Sequence, residues 1–324
     1  MRSIGVFLTA VVATLALAGT ADARIAFQRG DRIYVARDDG SGVKRLTRGH
    51  FPVLSPDGRW VAFYRTASRG LELRLMRATG GASKRIALTS EGGHLTFSPD
   101  SKRLAMMVRY EVWLVDVASR RKLARLPYSA RGLSFSPDSQ SLVFAGSESL
   151  KIDDPSDLFT FRLGEPPHQL TRDGRSRWPL WTSQGIVFTQ QTVRGGGKFP
   201  LYELWETQAD GTGLRALTNQ SVPITDDITY GPAPVARSLD GSRLLISVAG
   251  QSRDDAYALD LTTGAARPFG EGLVPLALSR DGASALLQTR GSDPTDQHSL
   301  VRADWLTGTR TTLIRNAMWG SWTG

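Results

Sequence analysis

Apolar and polar positions along this chain repeat one short figure. A β-prone run, Phe51-Pro-Val-Leu54, leads into Ser55-Pro-Asp-Gly58, and a second apolar run, Trp60-Val-Ala-Phe63, follows. Pro56 presets φ for an early turn position, Asp57 can accept from nearby backbone amides, and Gly58 takes φ > 0 without steric cost. Strand, turn, strand is a hairpin. The figure recurs: Ser98-Pro-Asp-Ser101 precedes Leu104-Ala-Met106, and Ser136-Pro-Asp-Ser139 precedes Leu142-Val-Phe144. Ser238-Leu-Asp-Gly241 precedes Leu244-Leu-Ile246, and Ser279-Arg-Asp-Gly282 precedes Ala285-Leu-Leu287. A worn copy, Trp181-Thr-Ser-Gln-Gly185, precedes Ile186-Val-Phe188.

Each full unit carries four β-prone runs, A and B around the turn, then C and D. The first unit has no A: it opens with B at Arg24-Ile-Ala-Phe-Gln28, then C at Arg32-Ile-Tyr-Val-Ala36 and D at Val43-Lys-Arg-Leu-Thr47. The A runs of the next six units begin at Phe51, His94, Gly132, Trp178, Pro234 and Pro275. One A run, Ala317-Met-Trp-Gly-Ser-Trp322, is left at the C-terminal end. Repeats near ~40 residues with four short strands are propeller blades. The expectation is therefore an all-β, seven-bladed β-propeller of four-stranded antiparallel blades, with residues 317–322 completing the blade formed by residues 24–47. Discounting the worn unit at Trp181 would give six.

The Ser-Pro-Asp-Gly turns, the Ile-Ala-Phe B strand, the Ile-Tyr-Val C strand with Asp38-Asp-Gly40, and the Arg-Leu-Thr D end resemble the WD40-like repeat of TolB-type β-propellers across residues 24–322. The resemblance implies a propeller and a place in the bacterial cell envelope. TolB itself carries an α/β domain ahead of six blades, whereas here the blades follow a leader-like segment directly.

That segment comprises Arg2, an apolar run from Ile4 to Leu17 and Ala21-Asp22-Ala23, the pattern of a signal peptide cleaved after Ala23. An uncleaved anchor is the alternative. The expected domains are a signal peptide, 1–23, and one propeller, 24–324, periplasmic or secreted, with no membrane span after cleavage. The formal charge of +9 survives cleavage, because Arg2 and Asp22 leave together. A basic balance favours acidic partners, but Lys and Arg are scattered rather than blocked, so a nucleic-acid partner is not expected. Without cysteine there is no disulfide, thiol nucleophile or Cys-based zinc site.

In a propeller the A–B and C–D turns share one face, and the B–C and D–A connections share the other. The long connections here, residues 146–157, 190–200 and 219–233, are all of the second kind. Loops displayed by a rigid scaffold carry function. The candidate partner-binding residues are accordingly His50, His94, Arg131, Arg177 and Trp178 at the channel mouth, with Arg194, Lys198, Asp226, Asp227 and Tyr230 on the loops. His, Arg and Trp around a channel mouth suit an anionic or sugar-like ligand.

The turn aspartates are expected to bond turn amides. The pairs Asp153-Asp154, Asp226-Asp227 and Asp254-Asp255 have the oxygen chemistry for Ca²⁺ but no EF-hand spacing, so solvated loop acid is the expectation. Neither Gly-x-Ser-x-Gly nor His-Glu-x-x-His occurs, and Gly195-Gly-Gly-Lys198 is followed by Phe, so it is not a phosphate loop. Trp60, Trp113, Trp205 and Trp322 fall on strands and are expected to pack between blades. The sequence thus points to a monomeric, cofactor-free scaffold that binds a protein or an anionic envelope polymer through its long-loop face. The alternative is a propeller enzyme of lyase or lactonase type.

Overall fold

The computed structural model describes residues 24–108, 111–147, 155–192, 201–218, 229–250, 254–279, 281–289 and 298–323. These form seven four-stranded antiparallel sheets and no helix, so none of them forms a helix long and apolar enough to cross a membrane. Six sheets are built from consecutive strands. The first combines Arg24–Arg29, Arg32–Arg37 and Lys44–Arg48 with the last strand of the chain, Met318–Trp322. The worn unit is a complete blade, with strands Ser176–Trp181, Ile186–Thr192, Leu201–Thr207 and Arg215–Ala216, and this sets six blades aside. The proposed signal peptide lies outside the described residues.

The core is divided among the gaps between blades. Side chains alternate across a strand, and here both faces of each sheet meet a neighbouring blade. In the B strand of blade 1, Ile25 and Phe27 pack toward blade 7, while Ala26 packs toward blade 2. Val61 and Phe63 of blade 2 turn to blade 1; Ala62 and Tyr64 turn to blade 3. The rule continues at Leu142 and Phe144 against Val143 and Ala145. Seven hydrophobic clusters result, one per gap. This is why the B runs read as unbroken apolar stretches. Trp60, Trp113, Trp205 and Trp322 pack against these clusters, as expected.

The outermost strands form the outward edges of the sheets. Six of the seven carry Lys or Arg, and none carries Asp or Glu. Charge on an edge blocks pairing with another sheet, so part of the chain's positive excess serves the fold.

On the short-turn face the Ser-Pro-Asp units act as the sequence suggested. Ser55 Oγ donates to Asp57 Oδ1 at 2.6 Å, and Arg59 N donates to the same oxygen at 3.0 Å. The units are also tied blade to blade. Asp57 N donates to Ser101 Oγ, and Asp100 N to Ser139 Oγ, each at 3.0 Å. That tie explains why Ser101 and Ser139, with φ of 62° and 65°, stand where Gly58 stands in blade 2. Beneath this face, buried Glu206 of blade 5 accepts from Arg237 of blade 6 and from Arg215.

The ring closes through Ile25 opposite Trp322, Ala26 opposite Ser321 and Gln28 opposite Met318. Closure extends one residue further than the apolar run implied. Thr323 N donates to Arg24 O at 3.1 Å, and Arg24 N to Thr323 Oγ1 at 3.0 Å.

Two outcomes follow. Deleting residues 316–324 strips the inner strand from blade 1 and should abolish the cooperative melt, because a lost core aromatic alone costs about 3–5 kcal/mol against a total near 5–15 kcal/mol. Deleting 323–324 removes two hydrogen bonds, each worth about 0.5–1.5 kcal/mol, and should lower Tm by a few degrees. Melts of both truncations beside the full chain decide; a near-parent melt for the longer deletion refutes closure. Separately, bonds from Ser238 and Ser242 hold the Asp240 carboxyl at about 2, down from 3.8. A depressed carboxylate pKa stabilises above the unfolded value and is lost as pH falls through the folded one. Asp240→Asn should therefore lower Tm at pH 7, with the difference vanishing between pH 4 and pH 2.

Candidate functional site

Each inner strand runs from the long-loop face toward its A–B turn. Four residues before the turn's first residue, the strands place Phe51, His94, Gly132, Trp178, Pro234 and Pro275 at one level of the central channel, and the closing strand brings Trp319 to the same level through its pairing with Gln28 and Ala26. At this level the backbone is unusual. Phe51, Trp178 and Trp319 have φ of 54°, 48° and 55°, and Gly132 has 89°. In these four blades the A–B pairing slips at this level, His50 to Val53, Arg177 to Leu180, Ala130 to Leu133, and Met318 to Ser321 opposite Gln28 and Ala26, and it slips in two more, Pro234 to Ala236 and Pro275 to Ala277. A bulge bends its strand and re-aims a side chain. Bulky residues at φ > 0 cost about 1–3 kcal/mol each. Gly132 occupies the conformation without that cost, and a Cβ there would meet Trp178 Cα at 2.9 Å.

The bulges are held from behind by the preceding blade. The fourth residue of a B strand faces the next blade by the alternation described above, and in four blades it is polar and buried: Gln28, Tyr64, Thr189 and Gln288. Gln28 Oε1 accepts from Phe51 N at 3.0 Å, and Gln288 Oε1 accepts from Trp319 N at 2.6 Å. Tyr64 OH donates to Gly93 O at 3.1 Å and accepts from Gly93 N at 3.0 Å; burial raises its pKa. Thr189 Oγ1 donates to Pro232 O. These four side chains occupy equivalent sites and fix the backbone at the start of an inner strand.

Two cavities open along the channel. One, about 570 Å³, is lined by Phe51, Pro52, Leu95, Leu276, Trp319 and other apolar residues; the second, about 440 Å³, includes Arg131, Trp178 and Pro179. His94 lines both. Solvent reaches its ring along the channel, yet enclosing protein disfavours the imidazolium and lowers its pKa. Phe51 and Trp319 meet edge to face at 5.0 Å and remain 41% and 45% exposed, so neither is a core residue.

The expected mouth residues divide. His94, Arg131 and Trp178 line the channel. His50 and Arg177, one step before the channel level as Arg131 is, line neither cavity: His50 Nδ1 accepts from Gln28 Nε2 at 3.2 Å, and the Arg177 guanidinium lies over the Tyr202 ring at 5.5 Å. Arg194, Lys198, Asp226 and Asp227 lie outside the described residues, as do Asp153 and Asp154. Tyr230 falls within the inner strand Thr229–Arg237 rather than on a loop. Asp254 and Asp255 belong to the strand Asp254–Asp260, and buried Asp255 accepts from Gly272 N at 2.9 Å; this pair is part of a blade, not loop acid. Among the described residues no three His, Asp or Glu side chains come together to hold a metal ion.

The sequence reading missed Phe51 and Trp319 as channel residues and Gln28 and Gln288 as their supports. Counting four residues back from each turn would have aligned Phe51 with His94 and Trp178, and matching the last A run to the B run at Ile25 would have added Trp319. A polar residue ending the apolar B runs Ile25-Ala-Phe and Ala285-Leu-Leu was the signal for the glutamines.

No family model matches this chain, and no curated protein matches its sequence. Solved structures do match in fold. TolB from Acinetobacter baumannii is 15% identical, with a TM-score of 0.58 over 93% of this chain and 83% of its own. An oligogalacturonate lyase from Vibrio parahaemolyticus is 12% identical, with a TM-score of 0.58 over 90% and 84%. The β-propeller domain of the trilobed protease from Pyrococcus furiosus, which has an open velcro topology, is 13% identical, with a TM-score of 0.63 over 90% and 93%. At such identities the likeness concerns architecture: the chain is a seven-bladed propeller of TolB-like fold, similar alike to a TolB protein, a lyase and a protease domain.

Proposed function

We propose that this chain is an extracytoplasmic binding scaffold rather than an enzyme, exported by residues 1–23, and that it engages a protein or an anionic envelope polymer through the face carrying the B–C and D–A connections. The observation that carries the reading is the set of aromatics at the channel mouth. Phe51 and Trp319 are exposed and sit in costly backbone conformations, and such strain collects where a surface is used. The opposite face supports the same division of labour. Its turns are committed to bonding one another, as in the ties from Asp57 to Ser101 and from Asp100 to Ser139.

Replacing residues 193–200, the connection between the strands Ile186–Thr192 and Leu201–Thr207, by a short turn should leave Tm nearly unchanged, because lengthening or shortening a connection costs little. It should weaken capture of the partner recovered from an envelope extract by about tenfold, or ~1.4 kcal/mol. Arg59→Glu and Lys102→Glu, on exposed short-turn positions, should leave capture intact. The reverse pattern would move the binding face to the other side. Intact mass of the exported protein checks the rest: a chain beginning at Arg24 is expected, and one retaining Met1 removes the argument for a cleaved signal.

A further inference from the structure

We infer that the larger channel cavity binds a small uncharged compound whose flat apolar ring body lies against Phe51 and Trp319. The inference goes beyond the binding of a macromolecular partner and shares one premise with that reading, that the channel mouth is a used surface.

The aromatic wall is not explained by the fold. The chain must bend at this level, and Gly132 meets that need at the equivalent step of blade 4 without a side chain. Blades 1 and 2 carry Trp319 and Phe51 there instead, at φ of 55° and 54°, a region that bulky side chains disfavour. Their rings meet edge to face at 5.0 Å, and both residues line the same cavity of about 570 Å³. Each leaves two-fifths or more of its surface to solvent. Buried Gln28 and Gln288 accept from the amides of the two residues and hold the pair from behind. A strained, exposed and supported pair of rings is a preformed apolar wall.

The polarity of the lining selects against charge. Backbone groups beside the pair are already bonded: Phe51 N by Gln28, Trp319 N by Gln288, and both N–H and C=O of Gly93 by the Tyr64 hydroxyl. Ser321 Oγ accepts from Leu54 N at 2.9 Å. Among the described residues no Asp, Glu, Lys or Arg lines this cavity. Apart from Ser321 its polar side chains are His94 and the indoles of Trp319 and Trp322, and Trp322 Nε1 is buried. The protein around His94 holds its pKa below the usual imidazole value, so at pH 7 it brings no charge. The other walls are apolar, as at Pro52, Leu95 and Leu276. The residue types at the mouth suggest an anionic or sugar-like ligand, but this lining favours neither. An ion would lose hydration here and meet no counter-charge among these residues, and a sugar's hydroxyls would find too few partners. An uncharged ring compound sets its faces and edges against the aromatic wall, and a cavity of this size holds one small molecule.

The test uses the full mature chain and two fluorescent probes that share one skeleton and differ by a sulfonate, neutral phenylnaphthylamine and anionic anilinonaphthalene sulfonate. The neutral probe should bind saturably, one per chain, and the anion at least about tenfold more weakly. Phe51→Gly and Trp319→Gly should each weaken the neutral probe by about tenfold while Tm holds or rises, because glycine relieves the positive φ. Leu306→Ser, which removes a 76% exposed leucine from the short-turn face, should leave the affinity within about twofold. Four results would overturn the proposal: no saturable binding of the neutral probe, an anion that binds as tightly, Tm falling in the glycine variants, or Leu306→Ser weakening the probe as much as they do. Self-association of the parent chain that the glycine variants abolish would also overturn it, since a second copy would then cover the pair. If the neutral probe fails while the exchange of residues 193–200 still weakens partner capture, the face assignment stands and the small-molecule site falls. If the probe binds as expected while that exchange leaves capture intact, the site stands and the macromolecular reading falls.

Discussion

Every sheet in this protein is apolar on both faces, and the rest of the structure depends on that constraint. A two-faced sheet must have a neighbour on each side. A row of such sheets would leave two apolar faces in water, so the row bends until its ends meet. Fully burying one Leu, Ile or Phe is worth about 1.5–3 kcal/mol, and each gap holds several such residues, as Val61, Phe63 and Met76 show between blades 1 and 2. Stability is thus distributed over seven similar interfaces. Gly and Pro can then be spent at turns and bulges without weakening a single central core.

The fold was legible because two independent signals agreed. The Ser-Pro-Asp turns marked where strands reverse, and the unpaired A run at residues 317–322 specified how the ring closes. Less was legible at the channel. His50 and Arg177 looked equivalent to His94 because each precedes an apolar run, but one step along a strand reverses the direction of a side chain. His50 consequently meets Gln28, and Arg177 meets Tyr202. Thr323 falls outside the run at residues 317–322 because its closure bonds involve backbone and a hydroxyl, which hydrophobic patterning does not register. The bulges that re-aim Phe51 and Trp319 leave no composition signature: one contains Phe-Pro, another Trp-Pro and a third Trp-Gly.

The buried polar residues of the B strands connect scaffold and site. Gln28 and Gln288 lie on strands whose other inward residues are hydrocarbon, and each reaches one backbone amide in the next blade. A buried donor left without an acceptor costs about 1–3 kcal/mol, so these glutamines bind the geometry of the channel mouth to the packing of the gap behind it. Where the equivalent residue is Tyr64 the same role falls to a phenol, and where it is Ala145 no side chain performs it.

Closure also imposes an order on assembly. Arg24 and Thr323 are 299 residues apart in sequence and hydrogen-bonded in space. The B strand of blade 1 is the first described segment to leave the ribosome, yet its inner partner is the last. Until residue 322 has been made, that strand presents a bare edge, and the apolar faces of blades 1 and 7 have no counterpart. Pairing across such a separation is slow, since the chain must be closed before the contact repays it. Six blades can form as they emerge, whereas the first must wait for the whole chain, which makes its unpaired edge the segment most exposed to aggregation before the ring is shut.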